Sequence, residues 1–98
     1  MFNQAFADSW TRTALDDRTR SMLTIAMLAA LGSADELRTH VAGALACGVT
    51  PDELVDVFAH ISSYAGVARA VPGWAVASSV IRSVSARTNP TDVDPRLT

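Results

Sequence analysis

Two helix-start signatures stand seventeen residues apart in the middle of this chain, and they constrain the fold more than any other feature. Ser33-Ala34-Asp35-Glu36 and Thr50-Pro51-Asp52-Glu53 each pair a hydroxyl residue with a glutamate three positions later. In such a capping box the hydroxyl accepts from the third N–H of the helix, while the glutamate accepts from the cap's own N–H. Pro51 adds the favoured first helical residue of the second start. Gly48 stops the intervening helix at Cys47, so the two helices are expected to form a central antiparallel hairpin.

The surrounding pattern is also helical, and no segment reads as a strand. Phe2, Phe6 and Trp10 recur every four residues, an aromatic stripe on a short N-terminal helix. That stripe reads either as an anchor onto the core or a neighbouring subunit, or as a ligand box. Asp16 or Asp17 caps a second helix, Arg18 to Leu31, on which Met22, Ile25, Ala26 and Ala29 share a face and which Gly32 ends. The helix opened by Pro51 runs to about Ala65 and stops at Gly66. A fifth helix is expected from Pro72 to Arg87, carrying Trp74, Ala77, Val80, Ile81 and Val84. The expected architecture is therefore all-α: five helices in one domain over residues 1–87, followed by a flexible tail over residues 88–98, where apolar periodicity disappears.

Composition narrows the function. The 98 residues are 49% hydrophobic and 18% charged, with net charge −2, which excludes a solvating, disordered chain. A slightly acidic chain offers nothing to a phosphate backbone or an anionic membrane surface, so neither nucleic acid nor membrane is an expected partner. All eight basic residues are Arg, which removes Schiff-base and lysine general-base chemistry. The one cysteine, Cys47, supports neither an intramolecular disulfide nor a cysteine metal cluster. Without a basic, apolar leader or a spanning run, the chain reads as cytoplasmic. A chain this short buries only about 60–65% of its unfolded surface, and here small apolar residues occupy more than one side of each helix. Subunit contacts are expected to complete the core.

The polar residues with chemical potential lie on three helices. Glu53, Asp56, His60 and Tyr64, spaced by three, four and four, lie along one side of a helix. They can bring a carboxylate, an imidazole and a phenol to one pocket. Equally, Glu53 can serve only its capping box, and Asp56–His60 can be an ordinary surface pair. His40 lies mid-helix on the same side as Cys47, as a catalyst or as a satisfied polar residue. Neither His–Glu–x–x–His nor any compact ligand spacing is present, so no metal site is expected. Arg18 and Arg20 open a helix whose dipole favours acids there. They pair with Asp16, Asp17 or a carboxylate elsewhere, or they grip an anionic substrate.

Several of these segments resemble the carboxymuconolactone decarboxylase family. The run from Trp10-Thr11-Arg12 through Leu15-Asp16-Asp17-Arg18-Thr19-Arg20-Ser21-Met22-Leu23-Thr24-Ile25-Ala26 is similar to the family's opening. Glu36-Leu37-Arg38-Thr39-His40-Val41-Ala42-Gly43-Ala44-Leu45 and Gly48-Val49-Thr50-Pro51-Asp52-Glu53-Leu54 resemble its middle, and Tyr64-Ala65-Gly66-Val67 its next signature. The resemblance implies an alkylhydroperoxidase-like helical fold assembled as a trimer or hexamer. It also implies a cofactor-independent lyase or isomerase that acts by acid–base catalysis on a small carboxylated lactone or related enolisable acid. Loss of CO₂ leaves an electron pair that must be delocalised toward the lactone carbonyl, which calls for a cation or donor there and an acid to protonate carbon. On the resemblance, His40, Glu53 and His60 are the expected catalytic residues, and Arg18, Arg20 and Tyr64 the expected substrate-binding ones. The chain departs from the family's Tyr-Cys-Gly-Val-Pro-Ala-Ala at Ala65, Ala68 and Arg69, next to the expected pocket wall. A cyclase or isomerase acting on a larger polyketide-like substrate, or a non-catalytic oligomeric binding module, are the alternative readings. Peroxidase chemistry of the Cys-x-x-Cys type is excluded, because no second thiol exists to resolve the first.

Overall fold

A computed structural model describes residues 10–88. Its four helices are α1 (Asp17–Leu31), α2 (Ala34–Ala46), α3 (Pro51–Tyr64) and α4 (Val67–Thr88). Among the described residues there is no strand. Trp10 and Thr11 also have helical backbone. The rest of the expected N-terminal aromatic helix, with Phe2 and Phe6, lies outside the described residues, and of the tail expected over residues 88–98 only Thr88 is described, as the last residue of α4 rather than part of a tail. No described helix is long and apolar enough to cross a membrane.

The caps explain where the helices begin and end. Asp16, in extended conformation, accepts the Thr19 N–H at 2.8 Å and starts α1. Gly32 ends it with φ 75°, a left-handed conformation that costs glycine least. Gly32 donates to Ala29 at 3.1 Å and Ser33 to Leu28 at 2.9 Å, the paired bonds of a Schellman motif. Gly48, at φ 100°, closes α2 in the same way, with Val49 donating to Ala44 at 3.0 Å.

The Schellman turn at Gly32 overturns one expected cap. Ser33 makes no side-chain capping bond and lies at φ −88°, ψ 76°, away from the extended region that a capping serine adopts. Its N–H is committed to Leu28, so Glu36 has no donor to receive. The second box forms in full: Glu53 N–H donates to Thr50 Oγ1 at 3.1 Å, and Thr50 N–H donates to Glu53 Oε1 at 2.9 Å.

α4 begins at Val67, five residues before the expected start at Pro72, which lies inside the helix. The Gly66 carbonyl receives Arg69 N–H at 3.1 Å and Ala70 N–H at 3.0 Å, so a helical turn is already formed when the chain reaches the proline. An internal proline costs about 3 kcal/mol through its missing N–H and ring clash. Here the helix around it is held by burial of Ala70, Gly73, Ala77 and Val80.

The core is assembled on α4. Ile25 and Ala29 from α1, Leu37, Val41 and Ala44 from α2, and Leu54, Phe58 and Ile61 from α3 are all buried with Ala70, Ala77 and Val80. α2 packs on α1 and α4, and α3 packs chiefly on α4. α2 and α3 therefore do not form a packed hairpin; they follow one another across a short turn and each leans on other helices. The reason is that the apolar stripe of α3 (Leu54, Phe58, Ile61) is addressed to α4, where Phe58 meets Trp74 edge-on with ring centroids 5.6 Å apart. Gly73 is the closest backbone approach: a Cβ there would lie 2.8 Å from Phe58 Cε1 and 3.2 Å from Ala29 Cβ.

Candidate active site

The first turns of α1 and α3 are brought side by side, which lets Arg18 meet Glu53 across 35 residues of sequence. The pair forms a salt bridge, with side chains 42% and 35% exposed. The carboxylate elsewhere that Arg18 required is thus Glu53, rather than Asp16 or Asp17. Glu53 combines three tasks. It accepts from Arg18, caps the N-terminus of α3 through Thr50 N–H, and forms part of the wall of a hollow between α1 and α3. Hydrogen bonding from Arg18, then from the Thr50 backbone, holds the Glu53 carboxyl below its usual range, and the same contact with Glu53 raises Arg18. Glu53 is therefore a carboxylate at neutral pH, suited to holding a guanidinium and poorly suited to donating a proton.

The hollow has a volume of about 490 Å³. α3 contributes Glu53, Asp56 and His60, and α1 contributes Thr19, Met22, Leu23 and Ala26. The spacing expected for α3 thus does put three polar side chains on one wall. Tyr64 does not line the hollow; it is 81% exposed and lies against His60, with ring centroids 4.6 Å apart and a 42° tilt. The apolar part of the wall comes from Met22, Leu23 and Ala26 of α1 and from Val57 and Ile61 of α3, and its signal in the sequence was the recurrence of apolar residues at helical spacing on both helices.

Besides Tyr64, the expected site residues Arg20 and His40 do not line this hollow. Arg20 turns back on the chain before α1, donating from Nε to the Leu15 carbonyl at 3.3 Å and from Nη2 to the Arg12 carbonyl at 2.9 Å. Side chains two residues apart on a helix diverge by about 200°, so Arg18 and Arg20 do not form one clamp. His40, half-buried, lines a second hollow of about 240 Å³ with Trp10, Asp17, Ser21 and Cys47. There the Ser21 hydroxyl and the Cys47 thiol are 3.5 Å apart. Within this single chain His40 and His60 thus line different hollows. Among the described residues, no three His, Cys, Asp or Glu side chains cluster closely enough to hold a metal ion.

The profile of the carboxymuconolactone decarboxylase family matches residues 1–79. The chain belongs to this family. It is 40% identical over 80 residues to a 4-carboxymuconolactone decarboxylase from Acinetobacter baylyi, an alignment covering 82% of this chain and 60% of that protein. The chain therefore spans about three fifths of that relative's length. The matched region contains both hollows, the Arg18–Glu53 bridge, and His40, His60 and Tyr64.

Proposed function

We propose that this protein is a cofactor-independent carboxy-lyase or isomerase acting on a small carboxylated lactone or related enolisable acid in the hollow between α1 and α3. The observation that carries this reading is the Arg18–Glu53 bridge beside a hollow that also holds His60. Arg18 offers a planar fork of donors that matches a carboxylate, and Glu53 is the positioning residue that keeps it aimed. His60, steadied by Tyr64, is the proton donor and acceptor, since imidazole does both. In the lyase reaction the C–C bond to the departing CO₂ breaks and its electron pair passes into the enolate of the lactone. His60 then delivers a proton to carbon. Met22, Leu23 and Ala26 give the substrate's carbon skeleton an apolar wall to lie against.

A closed homo-oligomer, a trimer or hexamer, belongs to the same proposal. Leu23, Met27 and Leu31 recur every fourth residue along α1 and are 47%, 57% and 72% exposed. A ridge of this kind is costly in water. Because Leu23 is also part of the hollow's wall, a subunit seated on the ridge closes the site, and it can bring a neighbour's His40 to a second edge.

The test is turnover of 4-carboxymuconolactone, followed by CO₂ release. Wild-type protein is expected to release CO₂, and Arg18→Gln and His60→Asn to fall by about 10²–10⁴ without loss of folding. If wild-type protein is inert on this substrate and on other lactone acids, the reading fails. It fails equally if both variants turn over normally.

A further inference from the structure

A separate cavity of about 120 Å³ opens where the end of α1, the start of α2 and the middle of α4 converge. Its walls are largely apolar, Leu28, Leu37, Pro72 and Val76 among them, and no Asp or Glu lines it. One cation does. The Arg69 guanidinium is seated over Gly32, close enough that a Cβ on Gly32 would collide with Nη1. Among the described residues it has neither a hydrogen bond nor an ion pair, whereas the guanidinium groups of Arg18 and Arg20 are both engaged. Ser33, which makes no capping bond to α2, lines the same cavity.

We infer that this cavity is a binding site for a small monocarboxylate with a compact apolar body, gripped by Arg69. Charge complementarity selects the head group. A single unpaired guanidinium presents two parallel donors to one carboxylate, and the uncapped Ser33 hydroxyl is available as a further donor. A phosphate dianion would ask for more donors than this rim carries. Volume and wall chemistry select the body: an apolar cavity of this size class holds a benzene-sized group. The site is distinct from the Glu53–His60 hollow, with which it shares no wall residue. The competing account is purely structural, with Arg69 simply placing positive charge at the C-terminal end of α1.

Benzoate is the probe, titrated into the wild-type chain while amide resonances are followed by NMR. Saturable binding at about millimolar concentration is expected, with the largest shifts at Gly32, Ser33 and Val76. Arg69→Gln should weaken binding by roughly tenfold or more, and Arg69→Lys should recover part of it. Benzyl alcohol, with the same body and no charge, and acetate, with the charge and no body, should each bind at least tenfold more weakly. Arg18→Gln should leave benzoate binding unchanged, which separates this inference from the proposed activity. Shifts that map to the Glu53–His60 hollow instead would overturn it, as would equal affinity in wild type and Arg69→Gln, or an absence of saturable binding. Melting curves on each variant confirm that the fold is retained; a melting point that drops in Arg69→Gln while benzoate affinity is kept assigns Arg69 the structural role and refutes the site.

Discussion

Substituting alanine for glycine inside a helix normally stabilises it by about 1 kcal/mol, because glycine loses more backbone entropy on folding. Gly73→Ala should do the reverse. The new Cβ would lie 2.8 Å from Phe58 Cε1, 3.2 Å from Ala29 Cβ and 3.6 Å from Leu37 Cδ2. Ordinary carbon–carbon contact is about 3.5–4.0 Å, so the first two approaches are inside it. Phe58 cannot swing away freely, since its ring is held edge-on against Trp74 at 5.6 Å. Ala29 is 2% exposed on a different helix, so relief there requires moving α1 as a body. Overpacking of this kind costs about 1–3 kcal/mol. Set against the helical gain, the net expectation is a loss of about 1 kcal/mol, which lowers the melting temperature of a chain this size by about 4–8 °C. Gly43→Ala is the internal control: Gly43 is also mid-helix, but nothing lies within 4 Å of its would-be Cβ. It should gain up to about 1 kcal/mol. Both variants are melted thermally and in urea at one fixed protein concentration. A rise in melting temperature for Gly73→Ala would refute the reasoning, because it would mean that α4 is not seated by close approach at Gly73.

Acidification should destabilise the protein through Glu53 and Asp16, both of whose carboxyls are held below their usual values, by Arg18 and by the Thr19 cap respectively. A lowered folded-state value means that this stability is present in full above about 4.5 for Glu53 and is lost as the pH falls through its folded value. Melting temperature against pH should therefore decline on the acid side, with a shallower decline in Glu53→Gln; identical profiles would show that the bridge carries no stability. His60→Asn should reduce turnover by about 10²–10⁴ with near-native melting, and if His40→Asn does the same, the assembled oligomer must bring the two hollows together. Met27→Glu places charge on the exposed α1 ridge and should shift the proposed oligomer toward monomer by light scattering; a wild-type chain that is already monomeric, or an assembly unchanged by the substitution, would refute the role given to this ridge.

What the sequence determined alone was everything decided within one helical turn. The Asp16 cap, the glycine stops at Gly32 and Gly48, and the Thr50–Glu53 capping box involve partners three to five residues apart. Their geometry depends on little beyond local dihedrals. Even the failed box at Ser33 failed locally, because a backbone bond to Leu28 had already taken its N–H. The tertiary structure decided the rest. Pro72 reads as a helix start in isolation, but the helix begins at Val67, where burial of Ala70 and Gly73 against three other helices outweighs the proline's cost. Spacing put Glu53, Asp56 and His60 on one wall, as observed, since a shared helix face is a local property. That Arg18 would reach Glu53, that Arg20 would turn back to Arg12 and Leu15, and that His40 would line a different hollow depended on how α1 crosses its neighbours. Such crossings are set by which side chains interdigitate across the core, and residues 35 apart carry no mark of it in their order along the chain.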